Sequence, residues 1–266
     1  MGLFVSSLDL GVSLARRMTV YFSHATSFCG AVWNPVRVLL EDTDTYAWDH
    51  PGHGHGPPLE PPIDWRVFGQ YVLEVTEPGG IGVGHSMGAA AMAMAQIEDP
   101  SRFRALVLIE PIVFPGPYVR EARETMADKA IRRRSIFESR DEARRHLRGR
   151  GVFADWVADA LEGFIQCGLI GDGEVHLACS PEVEADIYRA WRDHDTWERL
   201  GAIDIPVLVM AGERSDTITP AFAREQAARF PRAGVEIVPG TGHLLPMEKP
   251  HVVAERVRRL LELSTR

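Results

Sequence analysis

The sequence has only three cysteines, Cys29, Cys167 and Cys179, an odd number with no C-x-x-C spacing. That excludes a disulfide framework and a zinc ribbon, and it fits a reducing, cytoplasmic compartment. No apolar run reaches the ~18–20 residues that a membrane-spanning helix needs. The Ala- and Met-rich segment 87–97 is closed by Glu98-Asp99-Pro100. A soluble chain with no membrane partner is expected. Positive charge is in deficit: 29 Lys and Arg stand against 37 Asp and Glu, a formal net charge of -8. This excludes phosphate-backbone binding as the main task and nucleic acid as a partner. A secretory signal is not read either, because Arg16-Arg17 follow the first apolar stretch and Asp9 interrupts it. Met1-Gly2 with Ser6 matches the minimal myristoylation pattern, but the alternation from Phe4 to Leu10 reads as a strand, paired through Gly11 with Val12 to Arg16. Internal repeats and low-complexity tracts are absent.

What remains is ordinary globular composition, 266 residues with 45% hydrophobic and 25% charged, enough for one large core. Short β-rich runs at 19–23, 45–48, 81–83, 105–109, 206–210 and 235–238 alternate with segments of helical periodicity at 64–75, 87–97, 220–230 and 250–263. That order predicts an α/β fold, a mostly parallel central sheet with helices on both faces. The alternation breaks from Phe114 to Gly201, where helical periodicity is punctuated by Gly149, Gly151, Gly163, Gly168 and Gly171 and no strand is evident. The expectation is therefore a core domain of residues 1–113 and 202–266 with an inserted helical cap, 114–201. Residues 120–150 hold eleven Lys/Arg against six Asp/Glu, and 151–200 hold three against eleven. Two oppositely charged, solvated helix faces explain this more simply than steering of a charged substrate.

The sharpest local signal is Gly84-His85-Ser86-Met87-Gly88, a G-x-S-x-G between a short strand and a helix. The tight turn raises Ser86 at a helix N-terminus as a nucleophile. A serine hydroxyl needs a base to take its proton, and the base needs a carboxylate to orient it. His243, in Pro239-Gly240-Thr241-Gly242-His243 after the last strand, comes to the strand edge where Ser86 emerges. For the acid, Asp216 in the loop after strand 206–210 is preferred on loop position and chain order. Glu110, closing the apolar strand 105–109 before Pro111, is the alternative, since a carboxylate buried there requires a partner. A tetrahedral intermediate needs two N–H donors. Met87 supplies one, and Phe28, in the loop His24-Ala25-Thr26-Ser27-Phe28, is the candidate for the other. Asp49, His50, His53 and His55 lie close in sequence, but their spacing is not that of a zinc site, so no metal is expected.

Over nearly its full length the chain resembles the α/β-hydrolase fold superfamily. The resemblance rests on the loop His24 to Phe28, on Asp49-His50-Pro51-Gly52-His53-Gly54-His55-Gly56 as a form of D-x-x-G-H-G-x-S, on the 84–88 turn and on Gly242-His243. It implies a serine hydrolase with a helical lid, a Ser-His-acid triad and no cofactor. Departures are Ala25 in the usual His-Gly signature, Gly56 where serine is common, and Asp216 one residue further from Gly212 than the usual spacing. Serine at 86, rather than aspartate, speaks against dehalogenase and epoxide hydrolase chemistry. The implied activity is cleavage of a carboxylic ester, lactone or thioester of a small, mostly apolar molecule. Alternatives are a carbon–carbon bond hydrolase of a ring-cleavage product and a catalytically weak small-ligand receptor.

Overall fold

The structure is a computed structural model and describes residues 18–116, 125–192 and 194–264. The strand pair expected over residues 4–16 lies outside them. The chain enters through β1 (Val20–Ser23), α1 (Asn34–Val38), β2 (Thr45–Ala47), α2 (Arg66–Val75), β3 (Gly80–His85), α3 (Met87–Glu98) and β4 (Phe103–Ile109). It returns after a long insert as β8 (Val207–Gly212), α9 (Pro220–Ala227), β9 (Ala233–Val238), α10 (Leu245–Glu248) and α11 (Pro250–Ser264). Six parallel strands pair in the order β2-β1-β3-β4-β8-β9.

The period-2 alternation of each strand divides the interior into two apolar clusters, one per sheet face. Val20, Phe22, Ala105, Val107 and Ile109 face α1 and α11, meeting Val36, Val253 and Val257. Tyr21, Leu106, Leu108, Val207 and Val209 face α2, α3 and α9, meeting Phe68, Val72 and Ala223. All six residues of β3 are buried, as expected of a parallel strand covered on both sides. Helix α3 is buried all round except at Glu98, which explains its run of alanines: small side chains let it lie between the sheet and α2.

The insert contains α4 (Met126–Arg132), β5 (Ile136–Phe137), α5 (Arg140–Leu147), α6 (Ala158–Cys167), β6 (Leu169–Ile170), β7 (Val175–Leu177), α7 (Pro181–Ala190) and α8 (Thr196–Arg199). The expectation of no strand there is corrected by an antiparallel sheet, β5-β7-β6, with Phe137 opposite Val175 and Leu169 opposite Leu177. Strands of two or three residues are too short to show a period of two. Helices α7 and α9 start alike: the hydroxyls of Ser180 and Thr219 accept the N–H groups of Val183 and Phe222, with proline at the first helical position. The insert has one small cluster of its own, Ala127, Ala130 and Ala185 with Tyr188 against them, where α4 meets α7; its larger side chains join the clusters of the sheet. Phe137, Phe153 and Phe164 join the cluster of α11, and Ile187 and Trp197 join that of α3.

Candidate active site

The C-terminal ends of the strands form one rim, where loops of an open parallel sheet converge. At the end of β3 the chain turns sharply through Ser86, whose φ of 55° and ψ of -116° lie outside the helical and extended regions. Such strain persists only where surrounding structure enforces it. Here a side chain is impossible at either flanking glycine: a Cβ on Gly84 would lie 2.5 Å from Gly88 O, and one on Gly88 would lie 2.3 Å from Ser23 O. The Ser86 N–H is held by Ile109 O at 2.9 Å and its carbonyl receives Ala89, Ala90 and Ile112 N–H groups. The hydroxyl therefore has a fixed direction, and the residue is 7% exposed.

His243 receives that hydroxyl. Its Nε2 lies 3.1 Å from Ser86 Oγ, and its Nδ1 lies 2.9 Å from Glu110 Oε2. A carboxylate only accepts, so the ring proton sits on Nδ1 and Nε2 presents its lone pair to the serine. Glu110 is wholly buried at the end of β4, with φ at 51°, and accepts two further hydrogen bonds: Gly212 N–H to Oε1 and Ser215 Oγ–H to Oε2, each 2.7 Å. Three donors compensate the burial of its carboxylate.

The preference for Asp216 as the orienting acid is thereby corrected. Asp216 is exposed, and among the described residues its carboxylate accepts from Thr217 Oγ1 alone, at 3.4 Å. The loop after β8 turns Ser215 inward instead, onto Glu110. The physical reason is adjacency: β4 lies beside β3, with Ile109 opposite His85, so a residue one step past β4 stands next to the serine turn.

Two groups absent from the sequence reading hold the histidine loop. His85 Nε2–H donates to the His243 carbonyl at 2.8 Å. Burial, then the nearby His243 ring, depresses the His85 pKa well below the ordinary value, keeping it neutral. Glu248 accepts the Gly242 N–H at 3.0 Å. The signal for His85 was present in the sequence, since it is the variable residue of G-x-S-x-G, flanking Ser86 on its strand side.

Of the two expected oxyanion donors, the Met87 N–H opens α3 and has no intrahelical acceptor, so it is available at the positive end of a 12-residue helix. Phe28 is corrected: its N–H closes a turn onto Ala25 O at 3.3 Å. The ring is 6% exposed and stands 4.9 Å from Trp156, 6.0 Å from Phe164 and 6.3 Å from Phe153 of the insert.

The histidines around Asp49 lock the rim. Asp49 accepts the Gly30 and His55 N–H groups at 2.6 and 2.8 Å. His24 donates from Nδ1 to Ala25 O and accepts the His50 N–H at Nε2, while His50 Nε2 lies 2.6 Å from Ser23 Oγ. Burial lowers the pKa of all three histidines, His53 to about 3. These rings brace the loop after β1 against the 49–56 turn.

A family model described as "Alpha/beta hydrolase family" matches residues 20–256. The esterase YbfF of Escherichia coli is 26% identical over 238 residues, 85% of each chain. The 2-(acetamidomethylene)succinate hydrolase of Mesorhizobium japonicum is 24% identical over 248 residues, 91% of this chain and 87% of its own. Among solved structures, the peroxisomal α/β-hydrolase Lpx1 of Saccharomyces cerevisiae superposes with a TM-score of 0.80 at 18% identity, covering 93% of this chain and 77% of that one.

Proposed function

Since this chain belongs to the alpha/beta hydrolase family and is a hydrolase enzyme, we propose that it is a serine hydrolase working through an acyl-enzyme on a small ester, lactone or thioester. The observation that carries this reading is the series of contacts from Ser86 Oγ to His243 Nε2 and from His243 Nδ1 to Glu110, at 3.1 and 2.9 Å. Ser86 attacks the carbonyl as His243 takes its proton. The Glu110 carboxylate holds the imidazole and stabilises the imidazolium that forms. Charge developing on the carbonyl oxygen is met by the Met87 N–H. The imidazolium then returns its proton to the leaving group, and water repeats the sequence on the acyl-enzyme. No step calls for a cofactor.

Residues 1–113 and 202–266 act in this reading as the catalytic core, with 114–201 as its lid. The ring contacts of Phe28 with Phe153, Trp156 and Phe164 support a mostly apolar acyl site. Three cysteines without disulfide partners support a reducing, cytoplasmic location. No helix of the described residues is long and apolar enough to cross a membrane.

The test is covalent labelling with a fluorophosphonate, followed by turnover on a p-nitrophenyl ester series from acetyl to dodecanoyl. Wild type is expected to label at Ser86 and to prefer short to medium acyl chains, and Ser86→Ala to lose roughly 10⁵–10⁶-fold in kcat. An unlabelled Ser86, or labelling without turnover on any ester, would overturn the esterase reading, the latter in favour of a ligand receptor.

A further inference from the structure

Helix α6 packs unusually close to the core. Gly163 makes this possible, because a Cβ there would stand 2.2 Å from Ala31 O. The approach brings the helix's last residue, Cys167, over the turn that begins with Cys29 and over the Asp49 carboxylate. Cys29 is fully buried, with Sγ 3.8 Å from Gly163 O. The Cys167 thiol donates to Asp49, with Sγ 3.1 Å from Oδ2 and 3.4 Å from Oδ1. The two sulfurs and a carboxylate oxygen of Asp49 all lie within 4.8 Å of one another. None of the three takes part in the proposed hydrolysis.

The geometry points to a binding site for a thiophilic divalent cation of the zinc class, held by Cys29, Asp49 and Cys167. Two sulfurs on one tetrahedral zinc stand about 3.8 Å apart, from Zn–S bonds of roughly 2.3 Å, so the cluster needs only a small contraction. Thiolate pairs select such ions over magnesium or calcium. A cleft of about 400 Å³, lined by Asp49, Cys167, Gly30, His55 and Tyr71 among others, opens onto the cluster and gives an entry path and room for water as a fourth ligand. On binding, each thiol releases its proton to solvent, two S–metal bonds form, and the S–H···O contact of Cys167 is replaced by an O–metal bond. No oxidant is involved. The carboxylate favours a cation over a disulfide between the same sulfurs, because it supplies a third donor to the metal and its negative charge attracts the ion, and a disulfide would use neither. Cys29 and Asp49 belong to the sheet loops and Cys167 to the insert, so the ion would fasten one to the other.

The reduced full-length protein, kept in a phosphine reductant, is titrated with Cd²⁺ while the ultraviolet thiolate-to-cadmium absorption is followed; Zn²⁺ is measured by competition with a chromophoric chelator. One Cd²⁺ per chain is expected, with affinity falling at least a hundredfold in Cys29→Ser and in Cys167→Ser and unchanged in Cys179→Ser. Thermal unfolding should move upward with Cd²⁺ in wild type and not in Cys167→Ser, whose half-buried side chain tolerates the change. Ser86→Ala should bind as wild type does, which separates this site from the hydrolytic one. The proposal is overturned if folded wild type shows no charge-transfer band, if Cys167→Ser binds as tightly, if Cys179→Ser loses binding, or if protein purified without reductant is found with Cys29 and Cys167 joined.

Discussion

Glu110 has no contact with solvent, and Gly212, Ser215 and His243 are its hydrogen-bond donors. Replacing it with glutamine puts an NH₂ group where only acceptors fit. Facing His243, that group forces the ring proton onto Nε2, which then cannot accept from Ser86; facing Gly212, it sets two donors against each other. Glu110→Gln should therefore lower kcat/KM on a single ester by about 10⁴-fold, as loss of the orienting carboxylate does. Asp216→Asn should change it by less than about threefold, since that side chain is exposed and away from the histidine. Comparable losses in both variants, with circular dichroism showing both folded, would count against this ordering. That Ser86 and His243 meet was legible in the sequence, because each sits in a short motif whose glycines have a steric task. Which carboxylate meets them was not, because chain order permits one after either of two adjacent strands, and only their packing decides.

Glu184 of α7 does the corresponding work between elements. It is 5% exposed, receives the Ser27 hydroxyl at 2.5 Å, and pairs with Arg133 at 2.6 Å. Ser27 lies in the loop after β1 with φ at 75°, so α7 and the residue after α4 together hold a strained part of the rim. Glu184→Ala removes the carboxylate that pairs with the Arg133 guanidinium and accepts the Ser27 hydroxyl. With Arg133 partly exposed, the cost should be about 2 kcal/mol, read as a lower urea midpoint; Glu184→Gln, which can still accept from Ser27, should cost less. An unchanged midpoint in Glu184→Ala would show that the loop is held without α7. The inner sheet strands β1, β3, β4 and β8 could be read ahead of the structure since buried parallel strands form largely apolar runs. The insert could not: Ile136-Phe137, Leu169-Ile170 and Val175-His176-Leu177 gain strand character only by pairing with one another.

For the whole molecule, the buried histidines set a dependence on acidity. Burial pushes His53 down to about 3 and His85 well below its ordinary value, so the unfolded chain binds protons there that the folded chain refuses. Above about pH 6.5 both states are neutral and stability is complete. As pH falls from there toward the folded-state values, each histidine removes up to about 1.4 kcal/mol per pH unit. The urea midpoint should therefore drop between pH 7.5 and 5, before most carboxylates titrate. A midpoint that stays level or rises over that interval would mean that these imidazoles accept protons inside the fold.

The neighbours β4 and β8 are separated in the chain by the whole insert, Ile109 pairing beside Met210. While the chain is being made, β2, β1, β3 and β4 can associate early, but one edge of β4 has nothing to pair with until on the order of a hundred further residues have left the ribosome. At roughly 5–20 residues per second that wait lasts many seconds, with an apolar strand edge bare. It is also chemically quiet. Ser86 and Glu110 precede the insert and His243 follows it, so a nascent chain carries the hydroxyl and the carboxylate without the imidazole between them. The contacts among the three are complete only once the segments after the insert have been made.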